Sequence, residues 1–314
     1  METSTSNYTG QVVKTQSGFY TVKTPSALVV CQLRGTLKQA NKKTELCVIG
    51  DFVQIELLAD GTGVITTILP RQRVLSRVEP SNYAGTATER EQILIANPDQ
   101  AVIISAAAQP NPNVRFIDRC LVAAGKGNVP AVVVLNKIDL VDIRHAREVF
   151  GMYAKAGYPM LYVSALTGQG IEELHQLLIG KISIFTGRSG VGKSSLLNAI
   201  QPGLGLAIGE ISAKLDKGKH TTRYAEMIPL AEGGYVADTP GIRGFGLWDV
   251  EPNELDSYFP EFAEFIPQCA FSDCKHIEEP SCAVRAAVER GVIAELRYDS
   301  YLRLRAELEA QYVY

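Results

Sequence analysis

The sequence predicts a multidomain chain: a small N-terminal β-barrel, a central α/β domain on a mainly parallel sheet, and a C-terminal α-helical segment organised by a metal. Three observations carry this. Short apolar runs separated by turn residues fill positions 11 to about 75. From about Glu79, buried β-branched runs alternate with amphipathic stretches. Near the C-terminus Cys269, Cys274, His276 and Cys282 fall within 14 residues as C-x4-C-x-H-x5-C. A length of 314 residues is enough for two or three domains. Boundaries are expected at 1–77, 78–258 and 259–314.

The composition is that of a soluble globular protein, 46% hydrophobic and 21% charged. A net charge of −3 exerts no general pull on nucleic acid or anionic membrane, so any such contact must come from local patches. Met1 to Gly10 is polar and lacks the apolar core of a secretory signal. The longest apolar stretches, Ala101 to Ala108 and Ala131 to Leu135, are far too short to span a bilayer. A cytoplasmic chain with no membrane partner is expected. Six cysteines in this length do not suggest a disulfide scaffold. Cys31, Cys47 and Cys120 stand in apolar surroundings and read as small core residues.

In the barrel segment, strands are expected at Gln11 to Val13, Phe19 to Val22, Ala27 to Leu33 and Phe52 to Leu58. Ser17-Gly18, Pro25-Ser26, Gly50-Asp51 and Asp60-Gly61 supply the turns between them. Five or so short strands in this length suit an OB-fold. Residues 1–75 hold eight Lys or Arg against five Asp or Glu. That balance fits an ordinary solvated barrel or an RNA-binding one. Arg71 to Arg77 is the most basic stretch of the segment.

In the central segment, strands are expected at Ala101 to Ser105, Ala131 to Leu135, Met160 to Val163 and Ile182 to Phe185. Helices alternate with them at Phe116 to Ala124, Asp142 to Ala156 and Ile171 to Ile179. This alternation is the pattern of a parallel sheet covered on both faces. Gln201 to Lys219, rich in glycine and charge, reads as a mobile loop. Arg223 to Leu230 and Gly234 to Ala237 then read as a hairpin.

The chemistry sits at strand ends. Gly187-Arg188-Ser189-Gly190-Val191-Gly192-Lys193-Ser194, followed by Ser195, fits G-x-x-x-x-G-K-[ST] between a strand and a helix. Its glycines let backbone N–H groups converge on phosphate oxygens at a helix N-terminus. Lys193 suits the β and γ phosphates in binding and catalysis, and Ser194 suits Mg²⁺. Asn136-Lys137-Ile138-Asp139 follows the strand Ala131 to Leu135. A carboxylate there matches the N1–H and N2–H₂ edge of guanine and rejects adenine. The alternative for Asp139 is a cap on the next helix. Ser164-Ala165-Leu166 offers a backbone N–H for the guanine O6. Asp238-Thr239-Pro240-Gly241 offers a carboxylate for the Mg²⁺ shell and the Gly241 N–H for the γ-phosphate. In His220-Thr221-Thr222 one threonine completes the Mg²⁺ site, Thr222 before Thr221.

These five pieces resemble the GTPase motif set in an altered order, with N-K-x-D and S-A-x ahead of the P-loop. Each sits on its own strand–loop junction, so a circular permutation leaves the site intact. Near the C-terminus, three thiols and an imidazole suit one structural tetrahedral Zn²⁺ per chain, with no position left for catalysis. Helices are expected at Ala283 to Arg290 and Ile293 to Gln311, the second carrying Arg297, Arg303 and Arg305. Residues 260–314 hold six Lys or Arg and ten Asp or Glu, so RNA contact there would rest on a local face, or the segment would mainly touch protein.

The combination of OB-like barrel, permuted GTPase and Cys₃His segment resembles the ribosome small-subunit-dependent GTPases of bacteria, the RsgA/YjeQ family. Arg71 to Arg77, Ala96 to Gln100, Gly187 to Ser195, Lys219 to Arg223, Asp238 to Gly241, Tyr258 to Phe262 and the zinc ligands carry the likeness. The resemblance implies GTP hydrolysis to GDP and phosphate, stimulated by the 30S subunit, and a role late in its maturation. It implies 16S rRNA and ribosomal proteins as partners; a monomer is expected. Ile242 stands where many GTPases carry the glutamine that orients water, and an apolar side chain cannot do that. Slow intrinsic turnover follows, with His220 the candidate for the water-orienting role; the alternative is that His220 packs or caps. Two other classes compete: a GTP-switched RNA-binding module with incidental hydrolysis, and an ATP-using kinase, against which Asp139 argues.

Overall fold

The computed structural model describes residues 7–40, 46–78, 91–204, 224–238 and 247–311. The barrel is made of β1 (Asn7–Gln16), β2 (Phe19–Lys23), β3 (Leu28–Leu33), β4 (Phe52–Leu57) and β5 (Gly63–Ile68), with a short helix α1 (Gly35–Ala40) after β3. Side chains alternate as a closed barrel requires: Val29, Cys31 and Leu33 point in from β3, and Val53 and Ile55 from β4. The order is β1-β2-β3-β5-β4, and β4 returns to β1. β3 and β5 run parallel; the other barrel pairs are antiparallel. This is the expected OB-type barrel, with Cys31 and Cys47 in its core.

Next come β6 (Val74–Val78), β7 (Glu91–Ala96), β8 (Gln100–Ala106), α2 (Val114–Lys126), β9 (Ala131–Asn136), α3 (Ile143–Lys155), β10 (Met160–Tyr162), α4 (Ile171–Leu178), β11 (Ile182–Thr186), α5 (Lys193–Ile200), β12 (Tyr224–Pro229) and β13 (Tyr235–Asp238). The sheet order is β10-β9-β8-β11-β13-β12, parallel except for β12. β8 and β11 are buried along their whole length, as a parallel sheet covered on both faces demands. Ile103, Val133, Leu135 and Ile184 face one core with α2 and α3. Val102, Ile104, Val134 and Phe185 face the other, with Leu174 and Leu178 of α4 and Leu196 and Leu197 of α5. The chain runs outward from β8 through β9 to β10, then crosses to β11 on the other side of β8. Loops at the C-terminal ends of β8 and β11 therefore flank a switch point.

β1 connects the two sheets. Asn7 to Gln11 pair with β4 and close the barrel, while Lys14 to Gln16 pair antiparallel with β12. β6 and β7 form a separate ribbon that the sequence did not announce as strands. β7 has only a short apolar run, and its partner precedes it by a dozen residues. Asn97 stitches ribbon to barrel: its side chain accepts from the Gln72 N–H at 2.8 Å and donates to the Gly50 carbonyl at 3.2 Å.

The C-terminal part contains three single-turn helices, Leu255–Tyr258, Pro260–Phe262 and Ile266–Gln268, then α6 (Ala283–Glu289) and α7 (Glu295–Gln311). The two final helices match expectation. Of the three arginines noted on α7, Arg297 and Arg305 are 1% and 3% exposed. Arg297 donates to Asp118 of α2 at 2.5 Å and to both oxygens of Glu261 at 2.6 and 3.1 Å. Its guanidinium also lies 4.6 Å from the Phe259 ring centroid. Arg305 donates to the Pro252 carbonyl and to Glu309. Only Arg303 is exposed, paired with Asp299 one turn away. In the most basic barrel stretch, Arg71 makes a two-pronged bond to the buried Asp51, and Arg77 donates to Gln92. These arginines are held by internal partners.

Burial favours the neutral form of Arg297, but the facing carboxylates outweigh it and keep the guanidinium charged. Removing it leaves two buried or half-buried carboxylates without their partner. Arg297→Ala is expected to cost about 3–5 kcal/mol, read as a lowered urea midpoint. Arg303→Ala removes an exposed pair and should cost no more than about 0.5 kcal/mol.

Candidate functional site

Among the described residues, the loops after β9, β10 and β11, all predicted to carry chemistry, meet at the C-terminal edge of the sheet. Gly187 to Gly192 link β11 to α5. A Cβ on Gly187 would lie 2.4 Å from the Ile104 carbonyl oxygen of β8, so only glycine lets the loop pass so close. Gly192 has φ +97°, and a Cβ there would lie 2.4 Å from Asn136 Nδ2. Asn136 is 1% exposed and bonds to two loops at once. Its Nδ2 donates to the Val191 carbonyl at 2.8 Å, and its Oδ1 accepts from the Ala165 N–H at 3.2 Å. One amide thus fixes the P-loop and the Ser164-Ala165 turn against the end of β9.

Lys137 adopts φ +63° and donates to the Gly190 carbonyl at 2.7 Å and to the Gln109 carbonyl. Asp139 is exposed, and its Oδ1 accepts from Ser164 Oγ at 2.5 Å. Ser164 Oγ in turn accepts from the Thr167 N–H. Asp139 is not the cap of α3; Asp142 is, accepting from the Arg144 N–H at 2.9 Å. The competing role considered for Asp139 is therefore filled by another residue. Lys193 donates to the Gly187 carbonyl at 2.8 Å and the Arg188 carbonyl at 3.4 Å, keeping its ammonium at the loop. Ser194 is buried in the first turn of α5, and Ser195 is half-buried beside it. Asp238 ends β13 in register with Phe185 of β11, one strand over from the P-loop. His220, Thr222 and Gly241 lie outside the described residues.

The second cluster stands apart from this edge. The ligand atoms of Cys269, Cys274, His276 and Cys282 all lie within 4.8 Å of one another. His276 Nδ1 is 3.4 Å from Cys282 Sγ and 3.7 Å from Cys269 Sγ, and the two sulfurs are 4.0 Å apart. A tetrahedral ion with metal–sulfur bonds of about 2.3 Å has ligand–ligand edges of about 3.8 Å. The donor types suit such an ion, and the three distances among Cys269, His276 and Cys282 lie close to that edge length. Glu279 holds the ligand loop, accepting from the N–H groups of Lys275, Ile277 and Glu278. Burial opposes its charge, but these backbone donors prevail and bring its carboxyl down to about 2.

The sequence model of the RsgA N-terminal domain matches residues 9–65, and that of the RsgA GTPase matches residues 68–248. The chain belongs to the RsgA GTPase family. A relative from Thermotoga maritima, the small ribosomal subunit biogenesis GTPase RsgA, is 41% identical over 304 residues, covering 95% of this chain and 96% of its own. The protein of that name from Bacteroides fragilis (strain YCH46) is 39% identical, covering 96% and 97%. Among solved structures, YjeQ from Thermotoga maritima superposes with TM-score 0.78 at 39% identity, covering 96% of this chain and 99% of that one. YloQ, described as a circularly permuted GTPase, superposes with TM-score 0.76 at 28% identity, covering 99% and 98%.

In this RsgA-family chain the described N-K-x-D, S-A-x and P-loop motifs each occupy their own strand end, after β9, β10 and β11, although N-K-x-D and S-A-x precede the P-loop in the sequence. Sequence reasoning missed the loop after β8. The Gln109 carbonyl accepts from Lys137, and Pro110 Cδ lies 3.6 Å from the Cβ position of Gly190. The available signal was position: a loop with Pro110, Pro112 and the helix cap Asn113, leaving a buried strand at the switch point. Asp256 was missed as well; its Oδ2 lies 3.3 Å from His276 Nε2.

Asn136→Ala removes the acceptor of the Ala165 N–H. A net hydrogen bond of about 1 kcal/mol implies a loss of protection of roughly fivefold at that amide, measured by hydrogen exchange without any nucleotide. An unchanged Ala165 rate would show that Asn136 does not hold the turn.

Proposed function

We propose that this chain hydrolyses GTP to GDP and phosphate and acts on the small ribosomal subunit, binding it and assisting its late maturation. The observation that carries the reading is the double bond of Asn136 to Val191 and Ala165, which unites the P-loop, N-K-x-D and S-A-x pieces on one edge. The relatives that match it along nearly their whole length are named small ribosomal subunit biogenesis GTPases.

In this reading Asp139 accepts the guanine N1–H and N2–H₂ donors, and its bond from Ser164 holds it in that orientation. The Ser164-Ala165-Leu166 turn presents a backbone N–H to the guanine O6, and Lys137 braces the P-loop through the Gly190 carbonyl. The loop from Gly187 to Ser195 cradles the phosphates, with Lys193 exchanging its bonds to Gly187 and Arg188 for phosphate oxygens. Mg²⁺, when bound with the nucleotide, would neutralise charge on the β and γ phosphates. Ser194, Asp238 and Thr222 are the residues for it. Gly241 is assigned to the γ-phosphate and His220 to positioning water.

Cys269, Cys274, His276 and Cys282 are assigned to one structural Zn²⁺, for which four soft or borderline donors in tetrahedral spacing are suited. The outward face of β2 and β3, with exposed Phe19, Leu28 and Val30 beside Lys23, supports a ribosomal RNA contact by the barrel. We take 1–77, 78–258 and 259–314 as the working units of a cytoplasmic monomer. No helix among the described residues is long and apolar enough to cross a membrane.

The deciding experiment is steady-state GTP hydrolysis with and without purified 30S subunits, using 50S as control. Strong stimulation by 30S alone is expected; equal rates with all three would remove the ribosomal assignment. Asp139→Asn should weaken GTP binding by about 3 kcal/mol or more, since the guanine N1–H and N2–H₂ pair loses one of its two acceptor oxygens; unchanged affinity would remove the guanine role. Elemental analysis of purified protein should find one zinc per chain.

A further inference from the structure

We propose that Asp256 is the positioning residue of the metal cluster: its carboxylate accepts the outer N–H of His276 and so commits the imidazole to the metal through Nδ1. The proposal rests on reading Cys269, Cys274, His276 and Cys282 as a metal site.

Nδ1 is the ring nitrogen that faces the thiols, 3.4 Å from Cys282 Sγ and 3.7 Å from Cys269 Sγ. A ligating nitrogen must present its lone pair, so the single proton of a neutral imidazole sits on the other nitrogen. That nitrogen, Nε2, lies 3.3 Å from Asp256 Oδ2. His276 is 1% exposed, so solvent does not serve as the acceptor in its place. A carboxylate behind a ligating histidine fixes the tautomer and the ring plane and raises the basicity of the ligand atom.

The rest of the ligand loop is fixed by different groups acting on its backbone. Tyr298 donates to the His276 carbonyl at 2.6 Å, and Tyr301 donates to the Lys275 carbonyl at 2.8 Å. His276 itself has φ +59°, a conformation that non-glycine residues seldom adopt. The rings of Phe262 and Tyr301 pack against the imidazole, each 6.1 Å away between centroids, and Asp256 is the carboxylate at its outer nitrogen. It comes from outside the cluster, in the single-turn helix Leu255–Tyr258, where Leu255 is fully buried. That turn rests on α2: a Cβ on Gly125 would be 3.0 Å from the Tyr258 ring, and Lys126 donates to Glu254 at 2.8 Å. The histidine is thus aimed by a residue anchored on the α/β domain.

The test is zinc affinity of full-length protein by competition with a chromophoric chelator, for the parent, Asp256→Ala and Asp256→Asn. Asp256→Ala should weaken zinc binding about 10- to 100-fold. Asp256→Asn keeps an acceptor oxygen and should lose less. In ¹⁵N-histidine spectra of the zinc-loaded parent, His276 should carry its proton on Nε2. An Asp256→Ala affinity within about twofold of the parent overturns the proposal, as does a proton on Nδ1. Should Asp256→Ala fail to fold, Asp256→Asn decides, and a zinc affinity indistinguishable from the parent's overturns the proposal. A parent that binds no zinc overturns the metal reading and the proposal with it. A parent that binds zinc and is matched by the variant overturns only the role of Asp256.

Discussion

A guanidinium that is 1% exposed is the constraint around which the C-terminal half is arranged. Arg297 has been taken from water, and that desolvation costs several kcal/mol unless every donor meets a partner. Asp118 supplies one from α2, Glu261 supplies a fork from the segment before the metal cluster, and Phe259, Tyr153 and Tyr158 line the faces with rings. The partners come from three separate parts of the chain. The pair therefore forms only when α2, the aromatic turn and α7 are all in place. A leucine at position 297 would pack, but it would not specify which carboxylates must converge. The neighbouring pairs Arg119–Glu307 and Arg115–Asp299 line up along the same α2–α7 contact at lower burial.

The same helix reaches the nucleotide edge. α2 begins at its cap Asn113, and the loop leading into it places the Gln109 carbonyl on Lys137, which also holds Gly190 of the P-loop. At its other end Gly127 abuts the Val74 carbonyl, where a Cβ would come within 1.8 Å. α2 is thus fixed at its start by the P-loop brace, in its middle by Arg297, and at its end by the β6–β7 ribbon. Helices do not bend cheaply over 13 residues. P-loop brace, ribbon and the turn before the metal segment thus all contact α2 or the loop that leads into it.

What could be read from the sequence divides along the same line. Asn136, Asp139, Ser164 and the P-loop belong to short motifs whose chemistry is local to a strand end, so their residue types announced them. Cys269, Cys274, His276 and Cys282 sit within a few residues of one another and were equally readable. Arg297 was not. On α7 it stands in a row with Arg303 and Arg305, and nothing within the helix distinguishes a surface arginine from one that meets Asp118 across 179 residues. Asp256 and Gln109 act through contacts made by tertiary folding, one on a ring nitrogen and one through a main-chain carbonyl, and a carbonyl has no residue signature at all. β7 was missed because a strand of a lone ribbon has a short apolar run and a distant partner.

The pairing of β1 with β12 explains why a barrel and a nucleotide-type sheet form one continuous surface. β12 ends the α/β sheet on the side away from β10 and is its one antiparallel member among the described residues, so its outer edge would stand open to other chains. Lys14 to Gln16 cover part of that edge with the far end of a barrel strand, and Lys14 and Glu226 add an ion pair at 3.2 Å. The chain that carries His220 and Thr222 runs directly into β12, and β12 turns back through the hairpin into β13, which ends at Asp238. Both ends of that hairpin are thus tied to candidate magnesium residues, while its outer strand is tied to the barrel. A displacement of β12 must be shared by β1, because the ladder between them leaves no slack of a residue without changing every pair in the register. Permutation of the motif order puts the P-loop ahead of the hairpin in the chain and the metal segment behind it, and the barrel strand pairs with Tyr224 to Glu226, at the same end of the hairpin as Asp238.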